Sequence, residues 1–225
     1  FTLTDTDGGT ISYTGIENLT VNGISYSTLA GVAGVGGLIW DGSSNSIFGF
    51  GNASFNVGGL SNLSGISNSE SFTYYGSSPN QNHLNLGGDR TTYTGTWTIS
   101  LGAGPDRVSS ARLKNGDSVN MGAGNDTLEM AITGSYGTPT IASANFATLD
   151  GGAGSDTMAF EESGTNDSSC ACLTLTTGNA TNFENIVGSN SAETIKGDAN
   201  DNILTGGRGN VADTLYGYAG NDTLY

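Results

Sequence analysis

The chain has 225 residues, 35 % of them apolar, so it can bury a core, and 37 glycines against 3 prolines favour short strands and tight turns over long helices. Its 21 acidic and 6 basic residues give a formal charge of −15, which excludes nucleic acid as a partner and makes cations the natural one. No run of about 18 apolar residues and no basic-then-apolar leader occurs, so neither a membrane span nor a signal peptide is expected, and a start at Phe1 without methionine leads us to expect a piece of a longer protein.

Residues 1–85 read as a β-rich Gly/Asn/Ser segment, either an irregular β-solenoid or a sandwich. Ile11, Tyr13, Ile16, Leu19, Val21 and Ile24 recur as in strands half buried on one face. Glycine is then too dense for a register to be read, and Trp40, Phe48, Phe50 and Phe55 favour packed β-structure over a surface loop, since they would otherwise be left wet. The single histidine, His83 in "NQNHLNLGGDR", reads as a solvated loop residue.

Residues 86–160 read as a solenoid with interrupted repeats, because "LGAGPDRVS" from Leu101, "MGAGNDTLE" from Met121 and "GGAGSDTMA" from Gly151 are near-copies. Residues 161–187 are expected to be connecting strands. Their Cys170 and Cys172 would share one face of a strand, and a local disulfide, a contact to another chain and two free buried thiols all stay open. "GIENLTV" at 15–21 and "NFENIVG" at 182–188 match at four positions, a sign of an internal repeat linking the two ends of the chain. Residues 188–225 run continuously as "GSNSAETIK", "GDANDNILT", "GGRGNVADTLY" and "GYAGNDTLY", with Ile195, Leu204, Leu215 and Leu224 in the aliphatic position.

In one unit, six residues must reverse the chain tightly, which glycine permits, and three form a short strand. Val108, Leu128 and Met158 would point inward while Arg107, Thr127 and Thr157 face out, and two units would make one flattened coil. Such a stack brings carboxylates of successive turns together. A hard divalent cation held by aspartate oxygens and inward carbonyls would relieve the repulsion, and calcium suits this best because it takes six to eight oxygen ligands in loose geometry.

"GGAGSDTMA" fits the nonapeptide G-G-x-G-x-D-x-U-x at every specified position, and the sequence resembles RTX, or haemolysin-type calcium-binding, repeats. The resemblance covers residues 101–160 with gaps and 188–225 continuously. It implies an all-β fold, a parallel β-roll or β-solenoid with calcium-bridged glycine-rich turns, here with an N-terminal β-rich segment. It also implies Ca2+ as the ligand, type I secretion, and folding only in calcium-rich surroundings.

Asp106 to Asp126, Glu193 to Asp213 and Asn202 to Asp222 are each 20 residues apart, one coil with two residues inserted, so each pair is expected to bridge a metal. Asp117 is placed on the opposite side of its coil. Asp156, 30 residues after Asp126, joins that ladder only if the residues near "TGSYGTPT" loop out. Asn202 brings no charge, and Asp198 and Asp201 are candidate substitutes.

No G-x-S-x-G, HExxH or Cys/His pairing is present, and an enzyme is not expected. The expected function is a calcium-dependent structural or assembly region of a secreted or cell-surface bacterial protein, such as a surface-layer, adhesin or filament subunit. Ending at Tyr225 without a polar cap leads us to expect further repeats or self-association at that edge. The rivals are a carbohydrate-binding module using Trp40, Trp97, Tyr74, Tyr75 and Tyr93, and a β-helical polysaccharide-modifying enzyme; the −15 charge disfavours acidic glycans.

Overall fold

The computed structural model describes the backbone of the strands before residue 71 and, after them, residues 71–76, 81–86, 95–111, 113–132, 148–162 and 171–225. β1 (Thr2–Thr4) and β2 (Thr10–Ser12) pair antiparallel. β3 (Asn18–Val21), β4 (Ile24–Leu29), β5 (Gly36–Asp41) and β6 (Ser46–Gly51) form an antiparallel meander. From β6 onward the named strands pair in parallel, so the stacking begins inside the segment 1–85.

Successive strands alternate between two walls. β8 (Phe72–Tyr75), β10 (Trp97–Ser100), β12 (Ser118–Asn120) and β14 (Thr148–Asp150) extend the meander into an eight-stranded sheet. β7 (Ser54–Asn56), β9 (His83–Asn85), β11 (Arg107–Ala111), β13 (Thr127–Ile132), β15 (Thr157–Glu162), β17 (Asn185–Val187), β19 (Ile203–Thr205) and β21 (Thr223–Leu224) make the second eight-stranded sheet. β16 (Ala171–Thr174), β18 (Glu193–Lys196) and β20 (Thr214–Tyr216) form a separate sheet. Thr181, just after a 3-10 turn at Thr177–Asn179, bridges Asp150. The result is an all-β parallel roll.

Parallel register stacks like on like, because each coil repeats the inward position of the last. On the second wall the column is Leu84, Val108, Leu128, Met158, Ile186 and Leu204, all fully buried. Facing it, Tyr74, Ile99, Val119 and Leu149 form the column of the first wall. At about 1.5–3 kcal/mol for each buried large side chain, these columns are the main cohesive term. Arg107 faces out as the sequence requires and pairs with Glu129 one coil on at 2.6 Å, an exposed ion pair worth under about 1 kcal/mol.

Several sequence expectations change here. "GIENLTV" runs into β3 at the antiparallel edge of one sheet, whereas "NFENIVG" runs into β17 inside the other, so the shared letters do not mark equivalent units. Cys172 is a free, exposed thiol, because it lies on the outward side of β16 beside inward Leu173; Cys170 lies outside the described residues. Trp97 and Tyr74 are core residues, while Tyr75 is exposed. The side chains of Trp40, Phe48, Phe50 and Phe55, and all of Tyr93, also lie outside the described residues.

Coils this close leave no room for a Cβ at several glycines of the turns. At Gly152, where φ is +98°, an added Cβ would lie 1.8 Å from the Gly122 carbonyl oxygen. Gly152→Ala should therefore cost about 1–3 kcal/mol from the backbone conformation alone, with the clash in addition. A lower urea midpoint at unchanged slope measures the loss, and an unchanged midpoint would refute this packing.

Candidate metal centre

Each strand of the second wall from β9 onward is entered through a polar residue: Asn82, Asp106, Asp126, Asp156, Glu184, Asn202 and Asp222 in turn. Tight turns bring them there, and parallel pairing holds them in register as one ladder along an edge of the roll. Five of the rungs direct the backbone N–H at the side chain one coil on, while the Glu184 N–H turns back to the Asp156 carbonyl oxygen (3.1 Å). The Asn82 N–H donates to Asp106 Oδ1 (2.6 Å), Asp106 to Asp126 Oδ1 (2.7 Å) and Asp126 to Asp156 Oδ1 (2.8 Å). Asp156 donates likewise to Glu184 Oε2 (2.8 Å), and Asn202 to Asp222 Oδ1 (3.0 Å).

The structure thus brings Asp106, Asp126 and Asp156 together despite the uneven spacing. The extra residues before Asp156 fall between β13 and β14, where 133–147 lie outside the described residues. Glu184 was not singled out in the sequence, although it sits 18 residues, two nonapeptides, before Asn202. Its flanking "NFENI" lacks the glycine turn that marks the other rungs.

The opposite edge carries Asp117 and the Glu193–Asp213 pair. Asp117 accepts from the Trp97 N–H through Oδ1 and from the Lys114 N–H through Oδ2, both at 2.8 Å. Asp213 Oδ1 accepts from the Glu193 N–H at 2.9 Å, and Glu193 Oε1 accepts from the N–H and hydroxyl of Ser189. Asp198 stays off both ladders, because it is exposed and closes on its own turn by accepting from the Asn200 N–H and Nδ2 at 2.8 Å. Asp201, also exposed, accepts from the Asn221 N–H at 2.7 Å.

The ladders hold an electrostatic deficit. Asp106, Asp126, Asp156 and Glu193 are buried, and in each one carboxylate oxygen has no hydrogen-bond partner. Burial, foremost, pushes the Asp126 carboxyl up to about 7, with the Asp156 and Asp106 charges adding to it. Burial likewise raises Asp156 to about 6 and Glu193 to about 7, and lifts Asp106 above the ordinary carboxylate range. Buried oxygens left unmatched cost free energy unless a proton or a cation meets them.

The donor set suits a hard cation, being made only of oxygen. Among the described residues no three His, Cys, Asp or Glu side chains gather as one metal-binding group, so backbone carbonyls or water must complete any shell. The glycine turns set backbone carbonyls hard against the neighbouring coil: an added Cβ on Gly154 would stand 1.6 Å from the Gly124 carbonyl oxygen.

These shifts fix the sign of a pH effect. A carboxyl whose folded value lies above its unfolded value of about 4 favours the folded state at low pH, and that contribution is lost as pH rises through about 6 to 7. In chelator, thermal unfolding should therefore occur at a higher temperature at pH 5 than at pH 7.5, and calcium should remove or reverse the difference by replacing the protons. Equal or higher stability at pH 7.5 in chelator would contradict it.

The RTX calcium-binding nonapeptide repeat family matches the chain in four copies, over residues 148–161, 184–210 and 212–225. Neither the curated proteins nor the solved structures yielded a significant match. The matched copies contain Asp156, Glu184, Glu193, Asn202, Asp213 and Asp222, and the ladder continues upstream of them through Asp126 and Asp106. From residue 148 to 225 the chain carries RTX calcium-binding repeats, and Ca2+ is their ion.

Proposed function

We propose that this calcium-binding β-roll is the structural and assembly region of a secreted or cell-surface bacterial protein, of the surface-layer, adhesin or filament kind, in which calcium drives folding outside the cell. One observation carries the reading: the buried carboxylates of successive coils share an edge and keep an oxygen unmatched. In calcium-poor surroundings that edge repels itself, and in calcium-rich surroundings it is clamped. The β-roll repeats are typical of exported proteins, which supports an extracellular location. Exposed Ile203 and Tyr216, both on outward strand positions, supply apolar surface for self-association.

The reading is non-enzymatic. His83 Nε2 lies 3.2 Å from Ser109 Oγ, and the Leu84 carbonyl oxygen, 3.3 Å from the same hydroxyl, is a second acceptor that competes with the imidazole for its proton. A second reading, glycan binding, is favoured by Tyr216 and Tyr218, 46 % and 66 % exposed and stacked with ring centroids 6.1 Å apart. Tyr218 holds φ +71° where Gly152 holds +98°, a strained placement for an aromatic residue.

Circular dichroism and light scattering during calcium titration of a chelated sample test the proposal. β-signal should increase with calcium and particle size should then rise. Growth in β-signal with no rise in size would remove the assembly role, and a neutral-glycan array would then decide the second reading. Asp126→Asn, which keeps the shape and removes a charge, should raise the calcium midpoint about tenfold, equivalent to roughly 1.4 kcal/mol; an unchanged midpoint would take Asp126 out of the site.

A further inference from the structure

The ladder is not uniform, and its two asparagines differ from its carboxylates in a specific way. At Asp106, Asp126 and Asp156 one buried oxygen is unmatched. At Asn202 both polar atoms are engaged. Its Oδ1 accepts from the Asp198 N–H at 2.8 Å, and its Nδ2 donates to the Glu184 carbonyl oxygen at 2.9 Å. The N–H donor on one side and the carbonyl acceptor on the other fix which end of the amide is which. A carboxylate in that position would set oxygen against the Glu184 carbonyl oxygen, with neither a proton nor a cation between them.

Asn82 stands at the other end of the charged run. Its backbone N–H and its Nδ2 both donate to Asp106 Oδ1, at 2.6 and 2.9 Å, and the residue is fully buried. An aspartate there would place two carboxylates in contact. In both places the amide N–H supplies the partial positive charge that a buried oxygen needs.

We infer that Asn82 and Asn202 are ion-free rungs whose side-chain amides take the place of calcium, confining cation bridging on this edge to the three gaps bounded by Asp106, Asp126, Asp156 and Glu184. Glu184 is thereby assigned as the last rung of the unbroken charged run, through the carboxylate that receives the Asp156 N–H, and Asp222 stands beyond the Asn202 rung. The inference rests on the calcium reading above and refines it. The repeat match runs through the gap between Glu184 and Asn202, but the chemistry of that gap is closed without an ion.

Native mass spectrometry of the full chain in calcium, alongside thermal unfolding with and without chelator, tests it. Asn202→Asp should bind one more calcium than the wild type, unfold at a lower temperature in chelator, and gain more from added calcium. Asn82→Asp should do the same at the other end of the run. Wild-type chain that holds no calcium would defeat the underlying reading. Wild-type chain that holds calcium, with both variants at the same ion count, would overturn this inference alone. A variant that stays unfolded in excess calcium would also count against it at that rung, since the gap would then be unable to admit an ion.

Discussion

The whole structure depends on one contact repeated along an edge: the backbone N–H of a rung given to the side-chain oxygen one coil on, made at five rungs and broken at Glu184. Parallel stacking makes that contact possible and creates its difficulty. It sets like side chains about one strand spacing apart, roughly 5 Å, where two unit charges at an effective dielectric of 20 repel by about 3 kcal/mol. A typical hydrogen bond returns only about 1 kcal/mol net. The N–H contacts align the carboxylates without neutralising them, so the edge needs a positive charge from elsewhere, and calcium is the ion its repeats take.

The core cannot make up the difference by growing. Two walls of short strands, each offering one or two inward side chains, face one another across the roll, and every coil buries about the same small set. Adding coils adds core and carboxylates together, so the ratio of cohesion to repulsion stays fixed along the stack. Glycine enforces this geometry. The carbonyl of Gly122 so closely approaches Gly152 that no side chain could separate the turns. A roll of this kind is therefore tight in its turns and dependent on its solvent for charge balance.

Much of this was legible in the sequence because the repeat is local. The inward column of Val108, Leu128 and Met158 follows from nonapeptide spacing alone, and so does the pairing of Asp106 with Asp126. Glu184 was not legible, because its unit has lost the glycines that advertise a turn, and only the register of β17 against β15 and β19 shows where it stands. The fate of Asn202 was equally hidden: a change from aspartate to asparagine reads as a lost ligand, whereas the structure shows an amide with two matched partners. The start of the parallel stack at β6 was obscured by glycine density, which erases the alternation on which register depends.

The two edges of the roll differ in a way that follows from the same physics. The second wall runs unbroken through eight strands, and the charged ladder lies at its entry edge. The facing wall breaks after β14, where Asp150 pairs with Thr181 and a new sheet begins at β16. On that side Asp117 has both oxygens met by backbone N–H groups, one from Trp97 in the preceding coil and one from Lys114 in its own turn, so its carboxylate calls for no ion. Where backbone N–H groups meet both oxygens, the carboxylate is balanced without an ion. Where one oxygen is left unmatched, the next coil and its ion must follow in register. Unmatched charge thus runs along the unbroken wall at Asp106, Asp126 and Asp156, while the opposite edge carries one such group, Glu193 beside Asp213, so the longer need for an ion lies on the wall that continues through every coil.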